Sequence, residues 1–263
     1  MRNVSTHKPK LTVLGAGPGD PELMTLKGVK ALAEANVVLY DALVNRELLE
    51  YAPNATHIFV GKRKGFHKYS QDEINELIVA NAHAHGHVVR LKGGDPFIFG
   101  RGAEEIEHAK QFGLETAIIS GITSAIAVPA SLGIPLTKRG ISESFWVITG
   151  TTSERNLSLD VALAAQSTAT VVILMGMSKL SEIVTLFKIE GKHKMPVGII
   201  QNGTTNNEKS VIGTVDSIVE KVNENNIAAP AIIVIGEVVN EATQQINRYL
   251  TNNKNTFPLR EVI

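Results

Sequence analysis

Short apolar segments alternate with helix-prone segments along the first half of the chain, and this alternation constrains the fold more than any other feature. Thr25 can cap a helix over residues 26–34, and Ser70 with Glu73 forms a capping box before the amphipathic run 74–84. Strands that alternate with helices predict a mostly parallel sheet. The predicted strands lie near residues 10–15, 37–40, 57–60, 88–91 and 115–119.

The second half of the chain has a different pattern. Pro129, Gly133 and Pro135 interrupt the periodicity, and a domain boundary near residue 137 is the simplest interpretation. Further strands are predicted at residues 145–149, 170–175, 197–201, 209–212 and 231–236. We therefore expect an N-terminal α/β domain with a mostly parallel sheet (10–136), a C-terminal α/β domain with a mixed sheet (137–240) and a tail (241–263).

A glycine-rich segment, LKGGDPFIFGR, follows the predicted strand at 88–91. Open α/β sheets bind ligands at the carboxyl ends of their strands. Gly93 and Gly94 allow a close backbone approach, Asp95 offers a carboxylate to a hydroxyl or amino group, and Arg101 supplies a cationic fork. The segment predicts a binding loop. The alternative is a tight surface turn with a solvated Arg101.

A second loop of the same kind follows the first predicted strand and reads GAGPGDPELMTLKG. Gly15 and Gly17 match the start of a dinucleotide fingerprint, and Asp41 lies where a ribose-binding acid is expected. However, Asp20 occupies the third glycine position, and Pro18 removes a backbone donor from the turn that would hold a pyrophosphate. The loop therefore favours a nucleoside without a diphosphate over NAD.

Composition excludes several classes of function. The chain has no cysteine, so disulfides, thiolate metal sites and a cysteine nucleophile are excluded. Lys plus Arg equals Asp plus Glu at 26 each, so no overall field favours nucleic acid. No signal-peptide pattern or membrane-length apolar run occurs, and we expect a cytoplasmic protein without membrane or nucleic-acid partners. His83, His85 and His87 are wrongly spaced for one helical face, so we expect no metal site.

A series of motifs runs in order over about residues 10–240. The motifs are GAGPGDPELMTLKG (15–28), VVLYDALV (37–44), VGKRKGFH (60–67), QDEIN (71–75), VVRLKGGDPFIFGRG (88–102), GITSA (121–125), GIPLTKRG (133–140), MG (175–176), NGTT (202–205) and PAIIVIGEVV (230–239). Together they resemble the motifs of the uroporphyrinogen-III C-methyltransferases, within the wider tetrapyrrole methylases. The wider group shares the first loop and GGDP, whereas YDALV, VGKR and FIFGRG together are far more specific to this member.

The resemblance implies two α/β domains with the active site in the cleft between them. It also implies a homodimeric enzyme that uses S-adenosylmethionine to methylate uroporphyrinogen III at C2 and C7, giving precorrin-2 by way of precorrin-1. This is the first step toward sirohaem and cobalamin. Because the first motif begins at residue 11, we expect methylation alone, without the dehydrogenase and ferrochelatase domain of some relatives.

The resemblance also assigns site residues. Asp41 corresponds to the family's proton acceptor and Lys62 to its donor, while Arg101 would bind substrate carboxylates. Lys62 could equally pair with a carboxylate of the substrate. The S-adenosylmethionine positions are Pro18, Gly93, Gly94, Asp95, Ile98, Thr123, Ser124, Met175 and Gly203. Two alternatives remain open: a methylase of a later corrin precursor, and a non-catalytic sensor of S-adenosylmethionine or a tetrapyrrole.

Overall fold

A computed structural model describes residues 8–61 and 69–242, and its contacts divide the chain into two units. The first unit ends at Ser124 and the second begins at Ala125. Each unit combines one sheet with helices, which confirms the predicted α/β class. Within the described residues, no helix is long and apolar enough to cross a membrane.

The first unit contains a five-stranded sheet in the order β3-β2-β4-β1-β5. All of its neighbouring strands are parallel, as the alternating pattern predicts. The parallel arrangement brings the carboxyl ends of all the strands to one edge of the sheet. The strands are β1 (Lys10–Gly15), β2 (Val37–Tyr40), β3 (Thr56–Phe59), β4 (His87–Lys92) and β5 (Glu115–Ile119).

The helices of this unit begin where the capping signals predict. Thr25 Oγ1 accepts a hydrogen bond from the Gly28 amide at 3.1 Å, immediately before α1 (Leu26–Ala33). Ser70 and Glu73 form the reciprocal capping box, with bonds of 3.2 Å and 2.6 Å. The remaining helices are α2 (Gln71–His85), α3 (Gly102–Gln111) and two 3₁₀ helices, Pro21–Leu23 and Arg46–Tyr51.

Apolar side chains cover both faces of the parallel sheet. On β2, Val37 and Leu39 belong to the buried cluster that includes Ile78 of α2. Val38 points to the opposite face and belongs to the cluster that includes Leu32 of α1. Because both faces are covered, the strands are nearly continuous apolar runs in the sequence. The loops at the carboxyl edge of the sheet are not part of these covered faces, and this edge is where open α/β sheets bind ligands.

The second unit contains a five-stranded sheet in the order β6-β7-β10-β8-β9. β6 and β7 are parallel, whereas the other neighbouring pairs are antiparallel, so this sheet is mixed. Its strands are β6 (Phe145–Thr149), β7 (Thr170–Leu174), β8 (Pro196–Gln201), β9 (Lys209–Thr214) and β10 (Ala231–Ile235). Its helices include α5 (Asp160–Gln166), α6 (Leu180–Ile189), α7 (Ile218–Glu224) and the 3₁₀ helices Met177–Lys179 and Glu237–Val239.

The division between the units precedes the boundary expected near residue 137. Ser124–Ser131 forms a helix, α4, where the prolines and glycine suggested only a connection. Ala125 and Val128 of α4 pack in one buried cluster with Val172 of β7 and Val234 of β10. The residues just before 137 therefore belong to the second unit, because their apolar side chains are buried against its sheet.

Candidate functional site

Three loops of the first unit, those that follow β1, β4 and β5, meet at the carboxyl edge of the parallel sheet. The first two loops are joined by backbone hydrogen bonds. The Gly17 amide donates to the Gly94 carbonyl at 3.2 Å, and the Gly94 amide donates to the Gly17 carbonyl at 2.7 Å. The Ala16 amide also donates to the Lys92 carbonyl at 2.7 Å. The two glycine-rich motifs thus form one continuous backbone surface.

Glycine makes the contact with the third loop possible. A β-carbon at Gly121 would lie 2.2 Å from the Gly94 carbonyl oxygen and 2.7 Å from the Gly15 α-carbon. A β-carbon at Gly15 would in turn lie 2.4 Å from the Gly121 nitrogen. No side chain fits at these distances, so the three backbones pack directly on one another. The sequence motifs contain all three glycines but do not indicate that they touch.

Asp95 connects two of these loops. Its Oδ1 accepts a hydrogen bond from the Phe97 amide at 2.8 Å, and its Oδ2 accepts one from the Gly121 amide at 3.1 Å. The sequence hypothesis assigned this carboxylate to a ligand, whereas these contacts give it a structural task. Each carboxylate oxygen retains a further lone pair, so a ligand contact is compatible with this arrangement.

Most of the residues expected to bind the cofactor lie on these loops. Gly94 has a φ of +68°, and a β-carbon there would lie 3.9 Å from Thr123 Cα and from Ser124 N, which leaves room on that side. Ile98 is 42% exposed and follows Asp95 in the loop after β4. Six of the expected residues lie on these three loops, and a seventh, Ser124, begins the helix that follows the third loop. The six are Pro18, Gly93, Gly94, Asp95, Ile98 and Thr123.

Asp41 and Arg101 line the same open pocket of the first unit, which has a volume of about 450 Å³. Asp41 follows the carboxyl end of β2, and its Oδ1 accepts a hydrogen bond from the Leu43 amide at 3.1 Å. Gly61 and Tyr69 also line this pocket. Lys62, the expected proton donor, lies outside the described residues.

Arg101 lies immediately before α3 in the left-handed conformation, with φ 59°. Its Nε donates to Glu104 Oε1 at 2.8 Å, and its Nη2 donates to Glu104 Oε2 at 2.5 Å. The bond from Arg101 holds the pKa of Glu104 below its ordinary value. Glu104 neutralises the cation but occupies only part of its donor set, so other N–H groups of Arg101 remain for a carboxylate ligand.

A buried charge cluster lies beside this pocket, and the sequence hypothesis did not include it as a group. Glu105 Oε1 accepts hydrogen bonds from Lys92 Nζ at 2.8 Å and Arg90 Nε at 3.1 Å. Arg90, Lys92 and Glu105 are 3%, 5% and 1% exposed. Burial, followed by the neighbouring Arg90 cation, lowers the pKa of Lys92. The available sequence signal was two cations on an otherwise apolar strand, HVVRLK, because buried cations require partners.

The remaining expected cofactor residues belong to the second unit. Met175 follows β7 with φ 56°, is 53% exposed, and its carbonyl accepts a hydrogen bond from Thr151 Oγ1 at 2.8 Å. Gly203 lies between Asn202 (φ 50°) and Thr204 (φ 64°). Left-handed conformations at non-glycine residues cost energy and are concentrated at functional sites.

Glu208, which sequence reasoning missed, supports the turn around Gly203. Its Oε2 accepts a hydrogen bond from the Thr204 amide at 2.7 Å. A β-carbon at Gly203 would lie 2.2 Å from Val128 Cγ1, so α4 packs directly against this turn. The sequence gives little indication of this role for Glu208, because a single acidic residue in a polar segment shortly after a turn is common.

The described residues contain no group of three or more His, Asp or Glu side chains that could hold a metal ion. His87, one of the three alternating histidines, lies on β4. Its Nε2 is 2.8 Å from Thr12 Oγ1, and its Nδ1 is 3.1 Å from the Glu34 carbonyl oxygen. Both ring nitrogens therefore have structural partners.

The chain is similar to known proteins over most of its length. The family model of the tetrapyrrole (corrin/porphyrin) methylases matches residues 10–219. A uroporphyrinogen-III C-methyltransferase of Methanocaldococcus jannaschii is 48% identical over 239 residues, which cover 90% of this chain and 99% of that protein.

Solved structures show the same similarity. A uroporphyrin-III C-methyltransferase of Thermus thermophilus, complexed with S-adenosylhomocysteine, matches with a TM-score of 0.76 and 36% identity over 88% of this chain and 99% of that one. A cobalt-precorrin-4 methyltransferase matches with a TM-score of 0.78 and 27% identity over 88% of this chain and 95% of that one. The two similar folds carry methyltransferases that act on different tetrapyrroles, so fold alone does not select the substrate.

Proposed function

The chain belongs to the tetrapyrrole methylase family, and we propose that it is an S-adenosylmethionine-dependent uroporphyrinogen-III C-methyltransferase. It methylates C2 and C7 to give precorrin-2 by way of precorrin-1, the first step toward sirohaem and cobalamin. The observation that carries this proposal is the 48% identity to a uroporphyrinogen-III C-methyltransferase over 99% of that relative's length.

The loops of the first unit fit the proposed cofactor. S-adenosylmethionine supplies an activated methyl group on a sulfonium and carries no diphosphate. The contact of Gly15, Gly94 and Gly121 gives a smooth backbone surface that a nucleoside can approach closely. We assign cofactor binding to residues on these loops and to two turns of the second unit. The assigned residues are Pro18, Gly93, Gly94, Asp95, Ile98, Thr123, Ser124, Met175 and Gly203.

Asp41 is the proposed proton acceptor. Transfer of a methyl group to a pyrrole carbon leaves a positive charge on the ring, which becomes neutral when a proton departs. When the tetrapyrrole fills the pocket, water is excluded, and a carboxylate on the pocket wall can accept this proton from the ring. Lys62 is proposed either to donate a proton or to pair with a carboxylate of the substrate.

Arg101 is proposed to bind a carboxylate of the substrate, because uroporphyrinogen III is a polycarboxylate and Arg101 lines the Asp41 pocket. In Arg101→Ala we expect the KM for the tetrapyrrole to rise by about tenfold, because one exposed charge-assisted hydrogen-bonded pair is lost. The dissociation constant for S-adenosylmethionine, measured by calorimetry, is expected to stay within about twofold. Equal weakening of both ligands would contradict this role for Arg101.

The activity itself is tested by mass analysis. The purified chain is incubated anaerobically with S-adenosylmethionine and enzymatically generated uroporphyrinogen III. The masses of the oxidised products are then measured by mass spectrometry. A gain of two methyl groups is expected. Asp41→Asn serves as the matched control, and we expect its turnover to be at least about 100-fold lower. No methyl gain with intact S-adenosylmethionine binding would instead indicate a methylase of a later precursor or a sensor.

We further propose a cytoplasmic homodimer without nucleic-acid or membrane partners. The equal numbers of acidic and basic residues and the absence of cysteine support this setting. Light scattering coupled to size-exclusion chromatography tests the dimer, and a monomer mass at micromolar concentration would contradict it.

A further inference from the structure

Arg90 is a buried cation next to the carboxylate that the proposed mechanism uses as a base. Its Nη2 lies 3.7 Å from Asp41 Oδ2, and its side chain is 4% exposed. Its Nε donates to Glu105 Oε1 at 3.1 Å. Its Nη1 donates to the carbonyl oxygens of Leu91 at 2.9 Å and Leu39 at 3.4 Å. These bonds fix the plane of the guanidinium, so the group facing Asp41 cannot turn freely.

The charges of this cluster do not balance without Asp41. Arg90 and Lys92 share a single anion, Glu105, and both donate to its Oε1. Gln71 Nε2 donates to the same oxygen at 3.2 Å. Glu105 Oε2 accepts no hydrogen bond from any residue within 8–61 or 69–242. Among the described residues of this cluster, one positive charge is therefore left over, in a region where an unbalanced charge is costly.

Asp41 supplies the missing negative charge from a more exposed position. Its side chain is 25% exposed, compared with 0% for Glu105. The Leu43 amide holds Oδ1 at 3.1 Å, while Oδ2 faces Arg90. The two oxygens are thus directed by different groups, which sets the orientation of the carboxylate on the pocket wall.

We propose that Arg90 is a positioning residue for the methylation reaction, and that Glu105 anchors it. Arg90 holds the Asp41 carboxylate in one orientation and balances its charge. This inference rests on the proposed function, because it requires Asp41 to act as the base.

A double-mutant cycle tests the inference. Arg90→Met replaces the guanidinium side chain by a shorter, unbranched apolar one. We expect kcat to fall by about 10- to 100-fold. This loss should not exceed the loss of kcat in Asp41→Asn, which removes the base itself. In an Asp41→Asn background, the same substitution should lower kcat by less than about twofold further, because no carboxylate remains to be positioned. The dissociation constant for S-adenosylmethionine should change by less than about twofold in every variant.

Lys92→Met is the matched control. It removes the other buried cation from the same Glu105 oxygen, but the bond it breaks does not involve Asp41. Its loss of kcat should therefore be smaller than that of Arg90→Met, because the guanidinium that faces Asp41 stays in place. If Arg90→Met does not fold, Arg90→Lys gives a second cycle, since it keeps the cation but loses the fork that bonds Glu105 and the carbonyls.

The outcomes separate the inference from the proposed function. The inference alone is overturned if the wild-type chain is active and the loss of kcat in the double variant equals the product of the losses in Arg90→Met and Asp41→Asn. A parallel fall in S-adenosylmethionine affinity and kcat also overturns it, because that pattern indicates general damage to the unit. A wild-type chain that transfers no methyl group overturns the proposed function and this inference with it.

Discussion

Gly121 lies so close to two other loops that its lack of a side chain is a structural requirement. The Gly94 carbonyl oxygen and the Gly15 backbone occupy the space where a β-carbon would stand. Both neighbours are backbone, which cannot move aside as a flexible side chain does. The close packing of the three loops therefore depends on the absence of a β-carbon at Gly121. Only the folded structure shows which glycines have this requirement.

Gly121→Ala is expected to force the loops after β1, β4 and β5 apart. Overpacking of this kind costs about 1–3 kcal/mol of unfolding free energy. Because the same loops form the proposed cofactor surface, we expect the affinity for S-adenosylmethionine to fall by at least about tenfold, measured by calorimetry.

Gly198→Ala is the control for this substitution. Its β-carbon would meet Ile134 and Val239 at 3.5 Å, an ordinary packing distance, and Gly198 lies on β8 of the second unit. Equal S-adenosylmethionine affinity in Gly121→Ala and Gly198→Ala would show that the three loops do not form the cofactor surface.

β4 contributes more to the candidate site than any other single element. It lies between β2 and β1 in the sheet, carries Arg90 and Lys92, and leads into Gly93. Its first residue, His87, connects it to β1 through Thr12 and to the end of α1 through the Glu34 carbonyl. Burial lowers the pKa of His87 below its ordinary value of 6.5. Protonation of His87 is therefore disfavoured in the folded chain.

We expect the first unit to lose stability as pH falls below about 6.5, partly through His87. The unfolded chain binds a proton at His87 at a higher pH than the folded chain does, so stability rises with pH across this window. The contribution is present above pH 6.5 and is lost as pH falls through the lower folded-state pKa. In His87→Gln, urea unfolding followed by circular dichroism should show a shallower loss between pH 7 and pH 5, a window of about two units around the ordinary pKa.

His85→Gln is the matched control, since His85 is exposed at the end of α2. It should leave the pH dependence of unfolding as it is in the wild type. An unchanged slope in His87→Gln would mean that other groups cause the acid sensitivity.

Each of the two units has its own hydrophobic core. The four buried clusters each lie within one unit, two on the faces of the parallel sheet and two on the faces of the mixed sheet. The formal net charge of the whole chain is zero, so the electrostatic features relevant to an anionic substrate are local. Arg101 and the buried Arg90 cluster are such features, and both lie in the first unit.

The sequence by itself determined the elements and the family. Strand positions followed from apolar runs, and the starts of α1 and α2 followed from Thr25 and the Ser70–Glu73 box, because capping and periodicity act between neighbours in the chain. The motifs then predicted which loops bind ligands, and that assignment stays a prediction. Asp41 and Arg101 were both predicted as site residues, and the fold brings them to one pocket.

Only the tertiary structure decided which distant residues touch. The contact of Arg90 with Asp41 arises because β4 pairs with β2, and the contact of Gly121 with Gly15 arises because β1 pairs with β5. The attachment of α4 to the second unit likewise depends on which sheet buries its apolar side chains. Strand order and burial are properties of the whole fold, because they result from competition among all the apolar surfaces of the chain, and no local pattern encodes them.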